Sequence, residues 1–185
     1  DVNNGPRTWF FAGGTGGLGR VISRHLAQHS KTRIILVGRR PLDSSIRNQM
    51  AELKELGAQA WYRQADCRRL NDVQEVVEWA EQAVGPITHV AHAIGKIDDS
   101  YLLKKDAQSF TQVFETKALS AINLDLATAQ SPVSLFATFS SIAAVIPNQG
   151  QADYAMGNAF LDHFAVWRQD QVVSGMRSGG SLSLN

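Results

Sequence analysis

Residues 151–160 read QADYAMGNAF. A tyrosine followed four positions later by a lysine puts a phenol and an ammonium on one helix face, a familiar acid–base pair. Here Tyr154 is followed at that distance by Asn158, so a cation for the phenol must come from elsewhere. A phenol ordinarily titrates at about pH 10 and is a sluggish acid near neutrality, and a nearby ammonium makes it a better one.

A second group of residues has the chemistry of phosphate binding. FAGGTGGLGR, at residues 11–20, contains Gly13, Gly14, Thr15, Gly16, Gly17, Leu18 and Gly19. Gly13, Gly16 and Gly19 form a G-x-x-G-x-x-G series between an apolar run and a helical pattern. Glycine permits the sharp turn and lets a pyrophosphate approach backbone amides at a helix N-terminus. A unit that binds NAD places an acid about 20 residues further on, to hold the ribose 2′-hydroxyl. Arg39 stands there, followed by Arg40, in LVGRRPLD. Two guanidinium groups suit a 2′-phosphate, so NADPH is the expected cofactor.

Two further stretches belong to the same face. Asp66 and Cys67 follow the third apolar run. The Asp66 carboxylate could accept from an adenine amino group or cap the turn leading to Asn71. HAIG, at residues 92–95, ends the fourth run. Its Ala93 and Gly95 leave room for a cofactor, and His92 reads as a packed histidine. No cluster of Cys, His, Asp or Glu has the spacing of a metal site.

These groups need a scaffold that brings them together. Short apolar runs at 8–12, 33–37, 59–62, 88–93, 134–140 and 181–184 read as strands. Several are apolar throughout, as in a sheet covered on both faces. Helical patterns lie between them. Leu18, Val21, Ile22 and Leu26 share one side. Ile46–Leu56 ends at Gly57, Asn71 is positioned to cap a helix, Ala107–Thr128 is long with room for a break, and Tyr154–Gln171 follows. Repeated strand–helix alternation means βαβ units. The expected fold is therefore α/β, a Rossmann-like doubly wound parallel sheet forming a single domain over residues 1–185.

Bulk properties narrow the function. The chain has 185 residues, of which 44% are hydrophobic and 19% charged, with net charge +1. That balance argues against a nucleic-acid binder. No apolar run reaches the roughly 18 residues of a membrane span. A single cysteine, Cys67, cannot form an internal disulfide and suits a reducing, cytoplasmic setting. The opening DVNNGPR is a polar lead-in, and the closing GGSLSLN stops as a strand begins. Both suggest a piece of a larger multidomain polypeptide.

The stretches GGTGGLG, FSSIAAVIPNQGQADYAMGNAFLDHFA and SLSLN together resemble the short-chain dehydrogenase/reductases, and more closely the ketoreductase domains of modular polyketide synthases. The likeness runs from Arg7 to the last residue. In that family a serine lies thirteen positions before the tyrosine. Ser141 keeps this spacing to Tyr154, with Ser140 as its neighbouring rival. Polyketide ketoreductases exchange lysine and asparagine relative to the wider family. The match implies Lys117, in FETKALSAINL, as the missing cation and Asn158 as its counterpart. The implied chemistry is ketone reduction. Tyr154 would donate the proton, Lys117 would stabilise the phenolate, Ser141 would orient the carbonyl, and Asn158 would hold the network.

The resemblance also implies a substrate and a partner. The substrate is a β-ketoacyl thioester on the phosphopantetheine arm of an acyl carrier protein, with neighbouring synthase domains around it. Ile97, Asp98 and Asp99 stand where one stereochemical type, the B type, carries Leu-Asp-Asp. Ile146 stands where the other type carries tryptophan. Both features imply a D-configured hydroxyl, and Met156 in place of proline implies no preference for an epimerised α-substituent. Gly38, Ile94 and Lys96 depart from the family pattern along the cofactor path. The structural subdomain that usually comes first, and the lid helix after SLSLN, are absent from this sequence. A non-catalytic scaffold within a synthase and a free-standing short-chain reductase are the competing expectations.

Overall fold

The computed structural model describes residues 6–29 and 31–185, and the lead-in at residues 1–5 lies outside them. In chain order the elements are β1 (Arg7–Ala12), α1 (Gly17–His29), β2 (Thr32–Gly38), α2 (Ser44–Glu55), β3 (Gln59–Gln64), α3 (Leu70–Ala83), β4 (His89–His92), α4 (Ala107–Ala127), β5 (Leu135–Phe139), α5 (Ala152–Val173) and β6 (Gly180–Leu184). Single 3-10 turns sit at Leu102–Lys104 and Ile142–Ala144. The strands form one sheet in the order β3-β2-β1-β4-β5-β6, every pairing parallel.

The apolar runs expected as strands are strands because both sheet faces are covered. Alternate residues of β1 and β2 enter opposite cores. Phe10, Ala12, Ile35 and Val37 pack with Val73, Val77, Leu124, Leu161 and Phe164 from α3, α4 and α5. Trp9, Phe11, Ile34 and Leu36 pack with Ala27 of α1 and Leu53 of α2. Fully burying a side chain such as Phe10 or Phe11 contributes about 1.5–3 kcal/mol, so the central strands anchor everything built on them.

Strand order reverses between β1 and β4. In an open parallel sheet the crevice at such a switch point, beyond the carboxyl ends of the strands, is where ligands bind. The glycine loop leaves β1 there, and HAIG ends β4 there.

Three local expectations are corrected. Asn71 does not cap α3. The helix begins at Leu70, which puts Asn71 inside its first turn, and Arg69 stands at the cap with no side-chain bond because a guanidinium has no acceptor to offer. α4 runs unbroken for 21 residues. Its buried Thr116 and Ser120 hydroxyls bond within the helix, Thr116 donating to the Gln112 carbonyl and Ser120 to that of Thr116. α5 starts at Ala152, so Tyr154 stands in its first turn. Gly57 follows α2 at φ +99°, as expected of a C-terminal glycine.

β6 is docked by a buried ion pair that no sequence pattern announces. Arg168 of α5 meets Asp125 of α4 at 2.8 Å and donates to the Ser181 hydroxyl at 3.0 Å. Among the described residues no helix is long and apolar enough to cross a membrane, and no group of three or more His, Cys, Asp or Glu side chains could hold a metal ion.

Candidate active site

The glycine loop is built by close packing. Gly13 has φ +78°, and a Cβ there would lie 2.6 Å from the Ala93 carbonyl oxygen, so no other residue fits between β1 and β4. Gly14 and Gly19 are buried in the loop's own packing: a Cβ on Gly14 would meet Leu36 at 2.6 Å, and one on Gly19 would meet the Gly13 oxygen at 2.6 Å. The buried Gln49 of α2 pins the loop by donating to the Gly14 carbonyl at 2.8 Å.

Beside this loop opens a cavity of about 450 Å3. Gly13, Thr15, Gly16, Arg39, Arg40, Asp66, Cys67, Ala93 and Gly95 line it, together with Gly38, Ala65, Arg68, Ile94, Thr116 and Ser120. Nine of the thirteen residues expected at a cofactor are thus brought together. Gly14, Gly17, Leu18 and Gly19 do not line the cavity. Gly17 and Leu18 open α1 at the surface instead.

The cavity has an anion-binding character. The first amides of α1 lack intrahelical partners, and α1 begins directly after Gly16 on the cavity wall. The Arg39 guanidinium is exposed and makes no hydrogen bond or ion pair among the described residues, while the Arg39 carbonyl accepts from the Gln64 amide group at 3.1 Å. Arg40 is partly committed to Asp43 at 3.4 Å. Tyr62 clamps this corner: its hydroxyl donates to the Gly38 carbonyl at 2.9 Å and lies 2.5 Å from that of Arg40. Asp66 caps its own turn by accepting from the Arg68 amide at 3.1 Å, and it pairs with the Arg68 guanidinium at 2.6 Å. The Arg68 hydrogen bonds hold the Asp66 carboxyl below its usual range. Burial pushes the Cys67 thiol up to about 12, so it stands at the cavity as a neutral, apolar-like group. His92 is fully buried with its Nε2 at 2.6 Å from the Ser120 hydroxyl, and burial lowers its pKa to about 3, as expected of a packed neutral histidine.

Lys117, Ser141, Tyr154 and Asn158 do not line this cavity, and it is Gly95 on its wall that adjoins Lys117. Lys117 of α4 is 4% exposed. Its side chain runs under α5, where a Cβ on Gly157 would stand 3.4 Å from Lys117 Cδ. A Cβ on Gly95 would stand 3.7 Å from Lys117 Cε, so the lysine lies between the cofactor-side loop and the tyrosine helix. Its Nζ donates to the Phe139 carbonyl at 3.0 Å and lies 5.7 Å from the centroid of the Tyr154 ring. Burial lowers the ammonium pKa to about 8, with Asp162 opposing that shift.

The two rival serines have different engagements. Ser140 donates to the Asn158 carbonyl at 3.0 Å and is committed to the backbone of α5. Ser141 accepts from the Ala143 amide at 3.2 Å, capping the turn Ile142–Ala144, and this use leaves its hydroxyl proton available. Asn158 is fully buried. Its Nδ2 donates to the Tyr154 carbonyl at 2.8 Å, while Oδ1 has no partner among the described residues. A buried acceptor left open is costly unless it serves a ligand or a water.

Ile97, Asp98 and Asp99 lie on the segment after β4, against the start of α5. Asp99 accepts from the Gln151 amide group at 3.0 Å, and Asp98 accepts from the Ser109 hydroxyl at 2.5 Å. The bond from Ser109 holds the Asp98 carboxyl below its ordinary range, with Lys105 and Lys96 adding to the effect. Lys96 turns toward α4 and donates to Gln112 at 3.2 Å. Ile94 is half-buried on the cavity wall and packs against the core.

A doubly wound sheet with a glycine loop at its switch point, a lysine on α4, a serine just after β5 and a tyrosine in the first turn of α5, is the architecture of a short-chain dehydrogenase/reductase. Comparison with known proteins narrows this class. The KR domain family matches residues 8–178, and the chain belongs to that family, the ketoreductase domains of polyketide synthases. It is 36% identical to polyketide synthase PksN of Bacillus subtilis over 178 residues, 96% of this chain and 3% of that protein. It is 32% identical to polyketide synthase ThaG of Burkholderia thailandensis over 174 residues, 94% of this chain and 3% of that protein. An N-terminal ketoreductase from the macrolactin assembly line superposes with a TM-score of 0.93 at 31% identity, covering 99% of this chain and 37% of that one. A ketoreductase domain from the bacillaene assembly line gives 0.94 at 29% identity, over 97% and 43% of the two chains. An NADH-dependent reductase complexed with NAD shares the fold at 18% identity and a TM-score of 0.83, over 91% and 74% of the chains.

Sequence reasoning missed Tyr62, Gln49, Arg68 and the pair Lys105–Asp153. Each acts through a contact between distant elements. Only the odd placement of a charge or amide within an apolar pattern could have drawn attention to them.

Proposed function

We propose that this chain reduces a β-ketoacyl thioester, presented on the phosphopantetheine arm of an acyl carrier protein, to the D-β-hydroxyacyl thioester with NADPH, among neighbouring synthase domains. The observation that carries the reading is the placement of Lys117 between the cofactor-side Gly95 and the Tyr154 ring.

The residues of the cavity fit NADPH. Its loop end offers helix-terminal amides for a pyrophosphate. Arg39 offers an uncommitted guanidinium for a 2′-phosphate, and Arg40 adds a second positive charge. Asp66 presents a carboxylate to the adenine region, and Ala93 and Gly95 leave the nicotinamide path open. When bound, the cofactor supplies a hydride to the carbonyl carbon.

This chain's residues do the rest. Ser141 donates its hydroxyl proton in a hydrogen bond to the ketone oxygen, orienting it and steadying the charge that develops there. As the carbonyl π pair moves onto that oxygen, the Tyr154 phenol transfers its proton to it, and the oxygen becomes the product hydroxyl. The positive charge of Lys117 stabilises the phenolate left behind. Asn158 ties its side chain to the Tyr154 carbonyl and keeps Oδ1 open for a water that can relay the returning proton. Ile97, Asp98 and Asp99 wall the Tyr154 end of the site, and the absence of tryptophan at Ile146 supports entry of the substrate in the B-type sense.

The test is reduction of a β-ketoacyl thioester mimic by the full-length protein. Loss of reduced nicotinamide would be followed, and the product resolved by chiral chromatography. The expected product is the D-alcohol. NADPH binding without turnover would favour a non-catalytic scaffold, and an L-alcohol would remove the B-type assignment.

A further inference from the structure

The segment from Tyr101 to Lys105 inverts the usual order of burial. Leu102 and Leu103 stand in solvent at 64% and 101% exposure, while the side chain of Lys105 is only 2% exposed. A lysine withdrawn from water while its leucine neighbours remain in it needs a strong local reason, because a buried ammonium is costly without a partner. The partner is Asp153, whose side chain is 1% exposed and whose Oδ2 lies 2.5 Å from Lys105 Nζ. This is an ion pair rather than an aligned hydrogen bond, since Oδ2 accepts no bond of regular geometry. Asp153 Oδ1 accepts from the Tyr154 amide at 2.8 Å.

Lys105 also donates to the Asp98 carbonyl. One ammonium therefore joins the segment after β4 to the residue adjoining Tyr154. Two lesser bonds run alongside: Asp99 with Gln151, and the Ser100 amide to the Gly150 carbonyl at 3.0 Å. α5 has no side-chain cap of its own, as Gln151 at the cap position makes no capping bond. The turn that carries Tyr154 is thus held from outside the helix, by the loop that borders the site. The Asp153 carboxylate in that first turn also complements the helix dipole.

We propose that the buried Lys105–Asp153 pair is a positioning device for the proposed ketone reduction: it fixes the direction of the Tyr154 phenol and locks the 97–100 wall against it. Lys105 and Asp153 touch neither substrate nor cofactor in this account. They act through Tyr154 and through the Asp98 backbone. The proposal rests on the reductase reading above.

The test compares the full-length protein with Lys105→Met, Asp153→Asn, Lys105→Arg and the apolar double variant Lys105→Met/Asp153→Leu. Each is assayed with NADPH and a β-ketoacyl thioester well below its melting temperature. Replacing a buried ion pair by apolar residues of similar volume commonly preserves stability, so the double variant separates folding from positioning. We expect the two single apolar or neutral variants to lose about 10- to 100-fold in kcat, the range a misplaced reacting group costs. Their product should be a mixture of both hydroxyl configurations, with the NADPH Kd unchanged. Lys105→Arg should recover most of the configurational purity. The double variant should recover Tm but neither kcat nor purity. A double variant with parental kcat and a single product configuration would overturn the proposal. So would single variants that lose only Tm, or that lose NADPH binding in step with kcat. No turnover by the unsubstituted protein would instead remove the reductase reading, and the proposal with it.

Discussion

Lys117 Nζ lies 5.7 Å from the centroid of the Tyr154 ring, reaching it from α4 beneath Gly157 of α5. On the proposed reading, the missing cation of the QADYAMGNAF helix comes from this neighbouring helix, and a glycine three positions after the tyrosine leaves room for it. This relationship generates the following expectations.

Filling the space under α5 should displace the lysine. A Cβ on Gly157 would already stand 3.4–3.8 Å from Lys117 Cδ, Cβ and Cγ, so the branched side chain of Gly157→Val must push them aside. We expect kcat to fall about 10- to 100-fold while the NADPH Kd stays put, since the cofactor cavity is bounded by other residues. Steady-state kinetics and fluorescence titration of NADPH check this. An unchanged kcat would mean that the position of Lys117 is immaterial.

The same lysine should set the alkaline limb of the pH profile. Its pKa is lowered to about 8, chiefly by burial, so raising the pH through that value removes the charge that stabilises the phenolate. kcat for reduction should decline with an inflection near 8, and Lys117→Met should be slow with no such inflection. Stability should move the opposite way. The folded-state pKa lies below the ordinary 10.5, so the unfolded chain binds the proton more tightly between about 8 and 10.5, and the cost of burying the ammonium is relieved as pH rises across that window. Thermal melts should therefore show Lys117→Met gaining most over the parent below pH 8 and progressively less toward pH 10.5.

Arg39 and Arg40 were indistinguishable by sequence, but their partners differ. The Arg39 guanidinium makes no hydrogen bond or ion pair among the described residues, whereas that of Arg40 pairs with Asp43, the residue whose carboxylate caps α2 by accepting from the Ile46 amide at 2.8 Å. We expect Arg39→Ala to weaken NADPH binding by about 10-fold or more and to leave NADH binding unchanged, as loss of a charge-assisted phosphate contact would. Arg40→Ala should have the smaller effect. Titrations with both nucleotides, repeated at raised salt, measure the difference.

Much of this was legible in the chain. The strands were readable because each central one is apolar on both faces, as Phe10 and Phe11 are, and the glycine loop because Gly13 admits no side chain against Ala93. Ser141 and Tyr154 were proposed through the spacing that the family likeness supplies. Lys117 was readable only through a family likeness, because a lysine in a long helix carries no sign of whether it will be buried. The break allowed for in α4 does not exist, since Thr116 and Ser120 satisfy their hydroxyls on the helix backbone. The Asn71 cap failed because α3 already begins at Leu70, which puts Asn71 inside its first turn. Lys105, Tyr62 and Gln49 were not read from the sequence. Each is defined by a contact with a distant element, and neither periodicity nor propensity encodes such a pairing.

The central claim is proton donation by Tyr154 in an NADPH-dependent reduction, and its most direct test is single-turnover kinetics with Tyr154→Phe. The full-length protein, its Tyr154→Phe variant and a β-ketoacyl thioester mimic are mixed with NADPH bound at saturation. The account predicts one reduced nicotinamide consumed per D-hydroxyl formed by the parent, and a loss of about 100-fold or more in the variant with the NADPH Kd unchanged. A variant that reduces the thioester at the parental rate would contradict it.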